Sequence, residues 1–288
     1  MTIPLRNCMG GWAARLGRRT LAVLALAAFA GTLASPAAAQ MVSNCQAIAQ
    51  RLSPDARFIR VATGSAADAY TVEISYVGHS TFRITAPDRT VIATDFNGIA
   101  GNGPLPDVVT MNHAHSSHYT PFPDPEIRYV LRGWNPEGGR AEHFLEVGEV
   151  LIRNVPTDIR SYRGVEESGN SIFIFEIAGL CLGHLGHLHQ MLSDAQIAEI
   201  GRLDIMFVPI DGTYTMNQAA MMTVVERLRT QVVIPMHWFG DYTLSQFIAG
   251  MREDGLTIAM HPEQVYRVSL NTLPRERTLL VLSREIGF

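Results

Sequence analysis

The chain has 288 residues, a length that suits one large α/β domain or two small ones. Hydrophobic residues make up 47% and charged residues 17%, which excludes general disorder, and 24 Gly and 15 Pro without a period exclude collagen-like and coiled-coil architectures. The formal charge is −4, every basic residue is arginine, and the absence of lysine excludes Schiff-base and Ser-Lys chemistry.

Residues 1–39 read as a cleaved export signal. Arg6, Arg15, Arg18 and Arg19 form a basic start with no acid. An Ala/Leu-rich run from Leu21 to Ala34 follows, and Ala37-Ala38-Ala39 before Gln40 is a small-residue cleavage site. The run is shorter than the roughly 20 residues a spanning helix needs, so no stable membrane insertion is expected once it is cleaved. Arg18-Arg19 also resembles a twin-arginine signal, a route that exports folded proteins. The expected product is periplasmic or secreted, a single domain over residues 40–288. Without the leader, 19 basic residues face 27 acidic ones, a net of −8 that argues against nucleic-acid binding. Cys8 lies in the leader; Cys45 and Cys181 remain, either as one disulfide or as two independent buried thiols.

Residues 40–56 suggest a short helix ending at Ser53-Pro54. From Tyr70 the pattern turns to strands: 71–77, 81–85 and 91–95, broken by Gly78-His79-Ser80 and Pro87-Asp88-Arg89. The glycines of 98–106 precede prolines rather than a helix, which excludes a phosphate-cradling loop. Further strands are predicted at 107–111, 127–131, 150–155, 171–177 and 180–182. After Leu192 helix and strand alternate: helix 195–200 capped by Ser193-Asp194, strand 203–209, helix 217–228, strand 231–235, helix 243–252, then strands at 257–260, 265–270 and 278–282. Strands first and βα units afterwards indicate a layered α/β domain.

The chemistry concentrates in histidine. Three of the ten histidines fall in six residues, His113-Ala114-His115-Ser116-Ser117-His118, directly after a strand. Neutral imidazoles gathered at a strand end are transition-metal ligands by type, with a polar surface loop as the alternative. A second cluster, His184, His187 and His189, follows strand 180–182, with Gly183 and Gly186 for a sharp turn. His237 stands alone at the end of strand 231–235 and on its own reads as a core histidine.

Taken together, Tyr76-Val77-Gly78-His79-Ser80-Thr81-Phe82, Ala93-Thr94-Asp95, the His113 loop, Gly183–His189, Val208–Thr215 and Val233–His237 resemble a metallo-β-lactamase-fold hydrolase. The resemblance is to the branch that includes ascorbate-6-phosphate lactonase, and it covers about residues 70–240. It implies an αββα four-layer sandwich and one or two divalent transition metals: zinc first, with iron, manganese or copper as alternatives. His113, His115 and His118 fit the H-x-H-x-D-H loop, but Ser117 takes the Asp position. Asp158 stands nearest the slot of a further ligand, His187 where a bridging Asp is usual, and His237 in the last ligand slot. By analogy one site would hold His113, His115 and Asp158, and the other His118, His187 and His237. Asp95 would steady the loop histidines, and His184 and His189 are spares.

The implied activity is hydrolysis of a small-molecule ester, lactone, amide or phosphoester, with charge held by the metal and backbone amides near Gly212. No side chain is identified as a general base. The lost carboxylates keep two alternatives open: a metal-binding protein without turnover, and a metal-based oxidoreductase. Tyr214 and Trp238 stand beside candidate ligands, where a pocket lining and ordinary packing fit equally.

Overall fold

The computed structural model describes residues 42–46, 68–161 and 164–285. The expected leader, and the helix expected over 40–56 apart from the turn at 44–46, lie outside them.

Two sheets form the frame. The first runs β13-β1-β2-β3-β4-β5, from β1 (Val72–Gly78), β2 (Thr81–Thr85), β3 (Val91–Ala93), β4 (Val108–Met111), β5 (Tyr129–Arg132) and β13 (Val265–Val268). The second runs β12-β14-β11-β10-β9-β8-β7-β6. Its members are β6 (Phe144–Val147), β7 (Val150–Ser161), β8 (Gly164–Ile177), β9 (Leu180–His184), β10 (Ile205–Pro209), β11 (Val232–Met236), β12 (Thr257–Met260) and β14 (Thr278–Val281). The sheets share one core, in which Phe82 of β2 meets Phe207 of β10 at 4.2 Å between ring centroids. The two-sheet α/β expectation holds. Helix α1 (Asp194–Ile200) packs on β7, α3 (Asp241–Glu253) packs on β12, and α2 (Gln218–Leu228) packs on α3.

Local chemistry explains the boundaries. Ser193 and Gln196 form a complete capping box that starts α1 one residue before the predicted Ala195. Asn217 caps α2 rather than belonging to it. β9, β10 and β11 are parallel and buried at every position, which is why they read as unbroken apolar runs. Two features escaped the sequence. β6 is a short, largely exposed edge strand with little apolar pattern. β7 and β8 extend well beyond 150–155 and 171–177 into a long antiparallel arm whose outer part is polar.

The parallel strands decide where chemistry can occur. β3 and β4 in one sheet, and β9, β10 and β11 in the other, are followed at their carboxyl ends by Asp95, the His113–His118 loop, the His184–His189 loop, Asp211 and His237. Such strand ends are where α/β proteins place ligands. Cys45 and Cys181 form a disulfide with Cα atoms 5.9 Å apart, tying the 42–46 segment to β9. This resolves the choice between bridge and free thiols.

Candidate metal centre

Four histidines converge. One ring nitrogen each from His79, His115, His118 and His237 lies within 4.8 Å of all the others. His79 comes from the β1–β2 turn, where the register shifts between Tyr76 and Gly78. Its φ is +51°, while that of His237 is +58° and that of Asp95 +42°. Three left-handed, non-glycine residues at one site mark backbone held by its surroundings. Here the His237 amide and the Tyr76 hydroxyl both donate to the His79 carbonyl, each at 2.7 Å.

Polar groups behind the rings orient them. His118 Nδ1 lies 2.6 Å from Asp95 Oδ2, with both residues fully buried. A neutral ring donating its Nδ1–H to that carboxylate leaves the Nε2 lone pair facing the centre. Asp95 is itself held by Asn112 Nδ2 at 2.8 Å. His237 Nδ1 lies 3.1 Å from Asp211 Oδ1, close enough for attraction though off the line of a straight hydrogen bond. Asp211 also accepts from the Thr213, Tyr214 and Thr215 amides and from the Thr213 and Thr215 hydroxyls. His115 Nδ1 meets the Ser117 hydroxyl at 2.7 Å, so Ser117 orients a ring instead of offering a carboxylate.

Burial disfavours protonation of His79, His115, His118 and His187. Burial, reinforced by the neighbouring histidines, pushes His79 and His187 down to about 2. Burial and His237 lower His115, and burial with the surrounding histidines holds His118 well below the usual imidazole range. Burial would raise Asp211, but the nearby His237 ring and the bonds it accepts from Thr215 and Thr213 hold it well below the usual carboxylate range. Burial pushes Asp95 up, against the opposing effects of His184 and the Asn112 bond.

The residues fit a metal ion. The Nε2 atoms of His118 and His237 are 3.1 Å apart: with the His237 proton on Nε2 they share a hydrogen bond, and with it on Nδ1 they present two donor atoms to one cation. His79 Nε2 and both ring nitrogens of His187 are buried without a hydrogen-bond partner among the described residues, an arrangement that is costly unless something binds them.

The expected ligand set is brought together only in part. His115, His118 and His237 lie in the cluster, and His187 stands beside it, its ring centroid 5.2, 5.0 and 5.2 Å from theirs. His113 and Asp158 lie elsewhere. His113 stacks on Trp134 at 5.0 Å, and its Nδ1 pairs with Glu166 of the β7–β8 arm at 2.6 Å. Asp158 falls where the β7–β8 register shifts, and its carboxylate accepts the Ser168 amide at 3.0 Å. The two-site arrangement built on them is therefore not assembled. His184 is structural: its Nε2 meets the Ser80 carbonyl at 2.8 Å and its Nδ1 accepts the Gly186 amide. His79 was missed as a donor and Asp211 as a support. The clues were a histidine in a tight Gly-His-Ser turn and an Asp followed by Gly-Thr-Tyr-Thr.

Over the cluster opens a cleft of about 1180 Å³. Its walls include Arg160, Tyr214, Trp238, Phe239 and Arg284, so Tyr214 and Trp238 do line the pocket.

Comparison with known proteins gives one consistent picture. The profile described as "Beta-lactamase superfamily domain" matches residues 73–237. A metal-dependent hydrolase of Solibacter usitatus is 28% identical over 203 residues, covering 59% of this chain and 86% of its own. One from Anaeromyxobacter dehalogenans is 26% identical over 221 residues, covering 63% and 78%. Among solved structures, a Thermotoga maritima protein assigned as a Zn-dependent hydrolase of the metallo-β-lactamase superfamily superposes with a TM-score of 0.51. It is 26% identical and covers 73% of this chain and 98% of its own. A metallo hydrolase of Ignicoccus hospitalis gives a TM-score of 0.52 at 20% identity, covering 69% and 99%.

Proposed function

This chain belongs to the beta-lactamase superfamily, and we propose that it is an exported metal-dependent hydrolase of a small molecule. One observation carries the metal: the facing Nε2 atoms of His118 and His237, with Asp95 and Asp211 behind them. His79, His115, His118 and His237 would hold one ion, with His187 in reach as a further ligand. The zinc assignment of the Thermotoga maritima neighbour supports zinc. When bound, such an ion supplies Lewis acidity and lowers the pKa of a bound water toward 7.

The chain's own residues do the remainder. Asp95, Asp211 and Ser117 fix the ring orientations before any ligand arrives. The open cleft admits an ester, lactone, amide or phosphoester beside the partly exposed His115. Export is supported by the Cys45–Cys181 disulfide, a bond that persists in oxidising compartments.

The test is a panel of chromogenic esters, lactones and phosphoesters offered to zinc-loaded protein. Turnover should vanish on chelation, return with zinc, and be absent in His237→Ala. Bound metal with no turnover across the panel would instead favour the metal-binding reading. The carboxylate-free donor set also carries a second reading, metal-based oxidoreduction. A visible absorption band that changes on reduction would support it, and a colourless, active zinc protein would exclude it.

A further inference from the structure

The cleft carries two arginines on its walls although the chain is acidic overall, at −4. Among the described residues, its charged lining consists of Arg160 and Arg284, with no Asp or Glu. Some arginines elsewhere pair with carboxylates, as in Arg153–Glu176 and Arg277–Glu226. Arg160 and Arg284 make no such ion pair among the described residues. Arg160 Nη2 donates to the Thr213 carbonyl at 2.8 Å. Arg284 Nη2 donates to the Trp238 carbonyl at 3.1 Å, and its guanidinium lies 4.4 Å from the Trp238 ring. Arg160 is thus anchored by one nitrogen and keeps donors free, while Arg284 also lies against Tyr76, 6.0 Å from its ring centroid.

Of the negative groups nearby, Glu166 is engaged by the lining residue His113 at 2.6 Å. Asp95 and Asp211 sit behind the histidines with their oxygens engaged. A metal held by neutral imidazoles would add to the positive field, and a concave wall focuses such a field on an incoming anion. Beside the arginines stands an aromatic ledge. Tyr214 and Phe239 are 60% and 63% exposed, with ring centroids 5.7 Å apart. They also adjoin the donor histidines: His115 lies 6.3 Å from Tyr214 and His79 5.6 Å from Phe239. Exposed aromatic surface in a cleft is the apolar half of a small-molecule site.

We infer that the substrate is a small organic anion. Its carboxylate or phosphate group is held by Arg160 and Arg284, and its apolar part lies on Tyr214, Phe239 and the Trp238 edge. Planar guanidinium forks pair with either oxyanion. The inference takes the hydrolase reading of the same cleft and names its substrate class.

Calorimetric titration tests it, on chelator-treated and zinc-loaded protein in parallel. The probes are phenylphosphonate, phenylacetate and neutral phenylethanol, and elemental analysis of the same samples records metal. The expected result is that metal-free wild type binds at least one of the two anions about tenfold more tightly than phenylethanol, and which one tells phosphate from carboxylate recognition. Arg160→Gln should weaken that binding about 10- to 100-fold. Arg284→Lys, which keeps the charge but loses the fork, should weaken it less. Variants are compared only if their melting curves match wild type; since Arg284 also packs on Trp238, Arg160→Gln alone decides if Arg284→Lys is destabilised. Equal binding of the neutral probe, unchanged affinity in Arg160→Gln, or no anion binding up to about 10 mM would overturn the inference. Protein that takes up no zinc but binds anions through the arginines would refute the metal reading and leave this one standing.

Discussion

At the scale of residues, the site depends on hydrogen bonds that the metal donors make away from the centre. Asp95 links the buried His118 ring to Asn112, and Asn112 in turn accepts the Ser171 amide at 2.7 Å. Asp95→Asn keeps the shape but replaces an anionic acceptor. It should lower zinc affinity about 10- to 100-fold, measured by competition with a chelator. An unchanged affinity would mean that Asp95 only fills space. Gly186 is a second such point. Its φ is +58°, and a Cβ there would run into the side chains of Asn112 and Asn170, the residues that hold Asp95 and the His187 amide. Gly186→Ala should cost about 1–3 kcal/mol in urea denaturation and weaken metal binding along with it. Donor types were legible in the sequence, because histidines crowd after strands. Donor direction was not. His113 and His115 differ by two positions, yet one stacks on Trp134 and the other faces the centre. That choice is made by Glu166 and Trp134, which are 53 and 21 positions from His113 in sequence.

At the scale of elements, parallel strands were the easiest to read and the extended arm the hardest. β9, β10 and β11 are buried along their whole length and therefore announce themselves as apolar runs. The outer half of β7 contains Pro156, Thr157 and Asp158, which read as a loop. Backbone pairing with β8 keeps that half extended, and Thr157 and Ile159 are buried along it. Asp158 accordingly belongs to the arm's own hydrogen bonding and lies apart from the four-histidine cluster. The disulfide is the other long-range element. It links positions 136 apart, reinforced by Glu176, which accepts the Ser43 hydroxyl and the Asn44 amide. Constraining so long a loop in the unfolded chain is worth about 3–5 kcal/mol. Replacing both Cys45 and Cys181 with serine should lower the denaturation midpoint by that measure. A midpoint that does not move would show that the bridge does not form.

At the scale of the whole molecule, histidines buried in their neutral form link stability to pH. Burial lowers His118, His184 and His187 below the ordinary imidazole value of 6.5, whereas an unfolded chain titrates there. Below about pH 6.5 the unfolded state therefore binds more protons, and stability falls as pH falls. Each such ring contributes a slope of up to about 1.4 kcal/mol per pH unit. Metal-free protein should show a melting temperature that drops steadily from pH 7 to pH 5, and a flat profile would contradict the neutral cluster. The two-sheet architecture itself was legible from strand spacing and the alternation of helix and strand after Leu192. The arrangement of donors across both sheets was not, because His79 and His237 meet only when β1 and β11 are brought together.

The most direct test of the central claim is metal content by elemental analysis of protein purified without a metal-affinity tag. The expected result is one equivalent of a single transition metal in wild type, lost in His118→Ala and His237→Ala, reduced in His79→Ala, and retained in His113→Ala and Asp158→Asn. Two equivalents in wild type, with loss in His113→Ala and Asp158→Asn, would restore the two-site arrangement. No metal in wild type after incubation with zinc, manganese, iron or copper salts would refute the centre itself.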